Sequence, residues 1–553
     1  MNRDTYLAYV SNNLKKYILI IYLVTLGSIA GILYSFVLKI VLDEVLLKNK
    51  YHILDELALI LLLSFLITSL INYSNGTLVL ELTQSISINI KSKVLNHIQK
   101  IPVEAFGKYD CGDLTNRTIN DVDTISNFLS SSIIVFFANL GNAIMYLFLM
   151  IKINQGFAMI TVIMCIVQLV ISKRFNPKLK TTNRELKEKN SEQLDLLTHI
   201  FNNHKFYKAY NKSSYNNEKY RKIIFCIKKI SFNNFKIKFL YNTTISATSF
   251  LSSLLILGLG IHEIICGRMT VGTLFLIDSI SEMFVQSANA LMEFNIELQN
   301  AYVSMERVKE IMDIEQEKQD KNFKENYRNL SISNICFDNV SFRYLEKKIL
   351  NNIDLEFQRG QSYAIMGTSG RGKTTIAYLL LLFYNIQKGK ILINQIDIKD
   401  IPVFSLREKI AIVMQESVIL NGTIKENIML DIVGEEESRF KDIIRICYLD
   451  EFVGSMKEGY ETMLGEKGRQ LSEGQKQRIS IARGLIKKAD VYIFDEITSH
   501  LDYHTSCNII HGIQGYLQDK IIIYISHDMS IKKFADHVID LQEHIEEVEG
   551  KSE

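Results

Sequence analysis

The sequence predicts a multi-domain protein: an all-α membrane domain of six spans with long cytoplasmic helical extensions, followed by an α/β domain built around a phosphate loop. Three observations carry this. Six apolar runs crowd the first 300 residues, a polar stretch without helical period follows, and from about Ser333 short β-rich runs alternate with helical segments. The 553 residues are 47% hydrophobic, with a net charge of +2 and three prolines, which argues against both a disordered chain and a strongly basic nucleic-acid binder. The seven cysteines are scattered singly, with no CxxC pair and no His cluster at metal-ligand spacing, and read as reduced and structural.

The spans come first in the chain. A helix crosses roughly 30 Å of hydrocarbon with about 20 residues. Candidates begin at Tyr17 (YILIIYLVTLGSIAGILYSFVL), Leu57 (LALILLLSFLITSLI), Ile133 (IIVFFANLGNAIMYLFLMI) and Phe157 (FAMITVIMCIVQLVI). A fifth lies in ISATSFLSSLLILGLGI, ending at Ile261, and a sixth starts near VGTLFLIDSI at Val271. One such run could be a buried core helix; six in tandem could not. The first is too long for a signal-peptide core and lacks a small-residue cleavage site.

The connections after spans two and four are long, about residues 80–130 and 173–238, and the second holds seventeen Lys and Arg. The positive-inside rule places both, with the N-terminus and the C-terminal third, in the cytoplasm. Dense charge and few breakers predict that they are helical extensions of the spans. Domains are expected at 1–315 (membrane), 316–332 (linker, including QEKQDKNFKENYRNLS) and 333–553 (nucleotide-binding).

In the last domain the runs ICFDNVSFRY, SYAIMG, KILIN, IAIVMQ, VYIFDE and IIIYISH predict a mainly parallel sheet with interleaved helices. Between the strand SYAIM and the helix TIAYLLLLFY lies GTSGRGKT, a G-x-x-x-x-G-K-[ST] phosphate loop in its required context. Gly367, Thr368, Ser369, Gly370, Arg371, Gly372, Lys373, Thr374 and Thr375 form the expected ATP-binding set, although Arg371, at a variable position, could also simply face solvent. Glycines let the backbone wrap phosphate, helix N-terminal amides face the anion, Lys373 reaches the β and γ phosphates, and the Thr374 hydroxyl suits Mg2+. The strand VYIF delivers Asp495, suited to Mg2+, and Glu496, placed to take a proton from an attacking water. The strand IIIYIS ends near His527, which could hold the γ phosphate or the water, or be structural.

LSEGQ followed by KQRISIARGL and then FDEITSHLD resembles the ATP-binding cassette (ABC) transporters, whose cassette joins a phosphate loop to an LSGGQ-type signature. The resemblance implies that Tyr344 stacks on adenine and that Gln415 senses Mg2+ and contacts the membrane domain. It also implies that Ser472, Gly474 and Gln475 touch a nucleotide, that Ser499 to Asp502 cross a dimer, and that His527 is a switch histidine. GEKGRQ, Gly465 to Gln470, matches the segment that couples cassettes to helices in exporters. GDLTNRTINDVDTI, Gly112 to Ile125, is similar to the first coupling region, and AYVSMERVKEIMD to the end of the sixth helix. Six spans fused ahead of one cassette resemble the exporter branch. The implied protein is a half-transporter ATPase of the cell membrane, dimerising with a second half-transporter, as a homodimer or heterodimer, around sandwiched ATP. Richness in Lys, Asn and Ile points to a bacterial cytoplasmic membrane.

Two features are specific to this chain. Glu473 stands where the signature usually has its first glycine. Either its side chain points away from ATP and the loop works normally, or its charge slows one ATP site and the chain belongs to a heterodimer. In the sixth span Asp278, Glu282, Gln286, Asn289 and Glu293 fall at steps of three or four, a polar stripe on one face. Asp278, Glu282 and Gln286 are candidates for a water-filled cargo cavity, since intramembrane acids rarely face lipid; pairing with other helices is the alternative, and is preferred for Glu293. The expected cargo is a peptide or other amphipathic compound. The alternatives are a lipid flippase, a multidrug exporter, or a non-transporting membrane ATPase that gates a partner. About 16 residues precede the first span, too few for the N-terminal cysteine-protease domain of some peptide exporters in this family, so a peptide cargo is expected to lose its leader elsewhere.

Overall fold

The computed structural model describes residues 9–317, 330–345, 347–368, 370–430, 437–465, 468 and 470–541. Contacts divide the chain into two units. The first holds residues up to Asn96 and Cys111–Asp313; the second holds His97–Asp110 and everything from Ile314 onward.

The first unit is built from six long helices: α1 (Leu14–Leu46), α2 (Tyr51–Ile98), α3 (Cys111–Ile153), α4 (Gln155–Asn202), α5 (Ser213–Ile265) and α6 (Val271–Met312). The first five are long and apolar enough to cross a membrane. In α6 the acids of the polar stripe dilute the apolar run, yet its other face is deeply packed: Leu276, Ile280, Phe284 and Val285 join Ile32 of α1, Tyr146 and Met150 of α3 and Ala158 of α4 in one core. α2 buries little of its apolar length, leaving Phe65, Leu70 and Tyr73 exposed, the surface a helix offers to hydrocarbon rather than protein. Both long connections are helical apart from short breaks near residues 99–110 and 203–212, so the charged extensions continue the spans.

Two polar devices fix the helix ends. At one end of α6, Thr270 caps the helix, and Asp43 near the end of α1 accepts from the Gly272 amide (2.9 Å) and the Thr270 hydroxyl (2.6 Å). A Cβ at Gly272 would lie 2.5 Å from the Lys39 carbonyl oxygen, so this approach requires glycine. At the other end Arg307 bonds Asp113 (2.7 Å) and Asp121 (3.1 Å), while Arg117 bonds Asp113 (2.8 Å) and Glu310 (2.7 Å). The two segments singled out at Gly112 to Ile125 and near the end of the sixth helix therefore meet through charge.

In the second unit a five-stranded parallel sheet runs in the order β11-β3-β10-β9-β6. Its strands are β3 (Ser362–Met366), β6 (Ile410–Val413), β9 (Val491–Asp495), β10 (Ile521–Ile525) and β11 (His537–Asp540). An antiparallel sheet, β2-β1-β4-β5, joins β1 (Asn334–Tyr344), β2 (Lys347–Gln358), β4 (Lys388–Ile393) and β5 (Ile396–Asp397), and β7 (Gly422–Thr423) pairs with β8 (Met463–Leu464). Four of the expected runs, SYAIMG, IAIVMQ, VYIFDE and IIIYISH, supply strands of the parallel sheet, whereas ICFDNVSFRY and KILIN, expected with them, lie in the antiparallel one as β1 and β4. β2 is a half-buried strand with Ile353, Leu355 and Phe357 facing inward at period two, a weaker signal than a continuous apolar run.

β3, β9 and β10 are buried on both faces, and their residues alternate between two cores. Ile365, Ile493 and Ile523 pack towards helix α7 (Lys373–Leu380) and the antiparallel sheet; Met366, Phe494 and Tyr524 pack towards helices α8 (Glu473–Ile486) and α9 (Tyr503–Tyr516). The carboxyl ends of these three central strands thus come out side by side between the helices, which is where a parallel sheet places a ligand. The described ends of the expected linker belong to this unit: Leu330 and Ile332 are in its core, and Glu317 pairs with Arg407 at 2.8 Å. His97, at the end of α2, bonds the Ile314 carbonyl (3.1 Å) and Gln316 (2.6 Å), which is how residues 97–110 come to group with this unit.

Candidate active site

The phosphate loop leaves β3 at Met366 and enters α7 at Lys373. Gly367, Gly370 and Gly372 have φ of +146°, +82° and +87°. At Gly372 space and backbone agree, because a Cβ would come within 2.7 Å of Ile349 and 2.8 Å of Leu350. The Lys373 ammonium donates to the Gly367 carbonyl (2.5 Å) and the Thr368 carbonyl (3.2 Å), curling the loop around it. Arg371 is exposed; Ser369 lies outside the described residues. Tyr344, at the end of β1, hydrogen-bonds Thr375 in the first turn of α7 and meets Tyr384 edge-on at 4.9 Å, with its hydroxyl pKa raised by burial.

β9 ends on Asp495 and Glu496. Asp495 is buried and bonds the Thr374 hydroxyl; burial, together with the neighbouring Glu496, raises its pKa above the usual carboxylate range. Glu496 has φ +50°, a left-handed conformation costing a side-chain-bearing residue about 1–2 kcal/mol. Four hydrogen bonds hold that backbone, one of them from the Ser499 amide to the Glu496 carbonyl (3.2 Å). Its amide donates to the Ile525 carbonyl of β10 (2.9 Å), and its carbonyl accepts from the Ser499 hydroxyl (2.9 Å) and the Gln477 side-chain amide (3.0 Å). The result turns the carboxylate to Gln415, whose Nε2 donates at 2.6 Å, and to His527 Nδ1 at 3.2 Å. Thr374 and Asp495 form one pair and Gln415 and Glu496 another. A cleft of about 530 Å³ opens beside Glu496, lined by Thr498, Ser499, Ser526, His527 and Asp528.

The signature opens α8. Ser472 is its N-cap in a reciprocal capping box with Gln475 (3.2 and 2.9 Å). Glu473, the next residue, faces solvent and is bonded by Lys476 one turn on (2.8 Å); that bond holds its carboxyl below the usual range. Gly474 faces the other way. A Cβ there would sit 2.7 Å from the His500 carbonyl oxygen, within the Ser499–Asp502 loop. Of the GEKGRQ segment, Glu466, Lys467 and Arg469 lie outside the described residues. Gln477 and Lys476 were not picked out by sequence reasoning. Gln477 did carry a signal, a polar residue on the buried face of an amphipathic helix.

Comparison with known proteins bears directly on this geometry. The family described as "ABC transporter transmembrane region" matches residues 17–288, and that described as "ABC transporter" matches residues 350–499. The chain belongs to the ABC exporters. It is similar to the ATP-dependent lipid A-core flippase of Desulfotalea psychrophila, 27% identical over 91% of this chain and 88% of that one. It is also similar to the Lactococcin-G-processing and transport ATP-binding protein of Lactococcus lactis subsp. lactis, 29% identical over 94% and 74%. A solved bacterial Atm1-family ABC exporter with ATP bound shares the fold at TM-score 0.81 and 22% identity, covering 96% of this chain and 94% of that one. As an ABC exporter half-transporter, the protein binds ATP, hydrolyses it to drive export, and works as a dimer in the membrane.

In the membrane unit of the exporter, the polar stripe of α6 from Asp278 to Asn289 borders a cavity shared with α5, and Glu293 lies outside it, exposed. Asp278 accepts from the Ser253 hydroxyl (2.6 Å), and Gln286 approaches Glu282 (3.4 Å). With Ser249, Ser252, Ser281 and Asn289 they line a cavity of about 320 Å³ that has no Lys or Arg in its wall. The Ser252 hydroxyl is buried without a hydrogen-bond partner among the described residues.

Proposed function

We propose that the exporter moves a peptide or other amphipathic cargo bearing a cationic group, by alternating access of a dimer in which ATP is sandwiched between the phosphate loop of one chain and the signature of the other. The phosphate-loop amides and Lys373 hold the β and γ phosphates, and Tyr344 supports the adenine. Thr374, Asp495 and Gln415 would hold Mg2+: hydroxyl, carboxylate and amide oxygens are the hard donors it prefers, and the first two already share a hydrogen bond. Bound there, the ion neutralises charge on the terminal phosphates. Glu496 takes a proton as water attacks the γ phosphorus in line and ADP leaves; His527 keeps the carboxylate aimed.

The observation that carries the reading is the pinned Glu496, its backbone held left-handed and its two oxygens directed by Gln415 and His527. General-base catalysis contributes about 10²–10⁴-fold. Glu496→Gln is therefore expected to lower ATP hydrolysis at least about a hundredfold while ATP still binds, and to abolish ATP-dependent accumulation of cargo in inside-out vesicles. Hydrolysis within tenfold of wild type overturns the assignment.

The α5–α6 cavity supports the cargo class. Two carboxylates ringed by hydroxyls, with no basic residue in the wall, attract an ammonium or guanidinium group and repel an anionic headgroup. ATP-driven uptake of a Lys-rich peptide should fall in Asp278→Asn and Glu282→Gln with basal hydrolysis kept. Unchanged peptide uptake, or flipping of a phospholipid instead, counts against it. The Glu473–Lys476 pairing supports a dimer of two copies with both signatures working.

A further inference from the structure

We propose that Gln477 is a positioning residue for hydrolysis, tying the signature helix to the general base of the same chain. This rests on the role given above to Glu496. Gln477 is 2% exposed, on the inner face of α8 one turn beyond Gly474. Its Nε2 donates to the Glu496 carbonyl (3.0 Å), and its Oε1 accepts from the His500 amide (3.3 Å).

The two bonds do different things. The first helps keep Glu496 at φ +50°, a backbone setting that an ordinary residue leaves unless it is held. Were this carbonyl to turn, the Cα–Cβ bond would swing with it, and the carboxylate would leave the positions where Gln415 and His527 meet it. The second bond fixes the loop that follows. Gly474 presses against the carbonyl of the same His500 whose amide Gln477 holds, so the signature helix grips one residue of the Ser499–Asp502 loop from both sides of its peptide backbone. Ser499 donates to the Glu496 carbonyl as well, so Gln477 and Ser499 share a single acceptor.

A displacement of the signature helix therefore reaches the Glu496 carbonyl directly through this buried amide. In a head-to-tail dimer the signature of a chain serves one ATP site and its Glu496 the other, so Gln477 joins the helix that carries the one to the residue that serves the other.

The test uses the full-length dimer reconstituted in lipid. Gln477→Met fills the same volume without donor or acceptor, and Gln477→Glu keeps the acceptor for His500 but loses the donor to Glu496. Both are expected to lower kcat at least tenfold, with KM for ATP within twofold and the amount of ATP bound per chain unchanged. A merely structural role would instead reduce bound ATP in step with activity. Ser499→Ala should cost less in the Gln477→Met background than alone, because the two act on one carbonyl. Three results overturn the proposal: kcat above half of wild type in Gln477→Met; loss of ATP binding in parallel with activity in both variants; or simple additivity with Ser499→Ala. Absence of hydrolysis by the wild-type dimer would instead refute the function proposed for Glu496.

Discussion

Charge reversal at Lys476 should damage this exporter more than removal of the unusual Glu473. Taken alone, a carboxylate about 7 Å from the partner's terminal phosphate costs about 2.4 kcal/mol per unit charge at an effective dielectric near 20. Glu473 is not alone. The Lys476 ammonium lies 2.8 Å from it and is far less exposed, 14% against 61%, so it is anchored. If its ammonium stands about 10 Å from the same phosphate it returns about 1.7 kcal/mol, leaving the pair as a whole a net cost of about 0.7 kcal/mol, roughly a threefold effect on rate. The N-terminal turn of α8 also favours an acid at this position. Steady-state ATP hydrolysis by the reconstituted protein measures these effects. Glu473→Gly, which leaves the Lys476 charge uncompensated, should raise turnover by up to about sixtyfold, Lys476→Met should lower it about twentyfold, Lys476→Glu further still, and the double variant Glu473→Gly/Lys476→Met, which removes the whole pair, should lie within about threefold of wild type. A double variant more than about tenfold faster than wild type, or indifference to Lys476→Met, would refute the reasoning and restore the reading in which the altered signature handicaps one site.

Gly474→Ala places a Cβ at 2.7 Å from a backbone oxygen that cannot step aside freely, a strain of about 1–3 kcal/mol; hydrolysis should fall more than tenfold while calorimetry shows only a modest loss of cassette stability. Asp43→Ala removes the acceptor for Gly272 and Thr270 at the start of α6 and should cost about 1 kcal/mol, read as a lower melting point in detergent, whereas Asp43→Asn keeps most of it. The raised pKa of buried Asp495 makes its contribution to stability greatest below the ordinary aspartate range, and that contribution is lost as pH rises through the higher folded value. Without nucleotide, Asp495→Asn should therefore stabilise the cassette more at pH 7 than at pH 4, and an equal effect at both would contradict the assignment.

Sequence reading reached furthest where chemistry demands fixed spacing. The phosphate loop, the acid pair at the end of β9 and the signature are short linear patterns because each is one strand end or one helix start, and a residue type can be read there without knowing its neighbours. Gln415, Glu496 and His527 come from three strand ends, and their convergence became visible only once β6, β9 and β10 were adjacent in register. Residues 97–110 were read with the membrane domain because nothing in their composition changes at Asn96. Their grouping with the cassette depends on hydrogen bonds between His97 and the Ile314 carbonyl and from the Glu317 amide to the Lys100 carbonyl, across more than 200 positions of chain. The sixth span was legible as a stripe, but which helix the stripe faces was not, since periodicity fixes a face and not its partner.

Direction, rather than proximity to the nucleotide motif, determines which signature positions can vary. Residues 473, 474 and 477 lie within two turns of one helix, and the departure from the family pattern falls on the first of them. Glu473 projects to solvent and has a cation of its own to pair with, so a carboxylate there leaves the packing of the cassette untouched. Gly474 is pressed on a backbone oxygen, and Gln477 is buried with one end of its amide bonded to Glu496 and the other to His500. A side chain added at 474 or an amide removed at 477 would shift Glu496 itself, whereas a charge added at 473 acts only through space and is largely cancelled at Lys476. The chain can therefore carry an altered signature beside an ordered Gln415–Glu496–His527 cluster without contradiction.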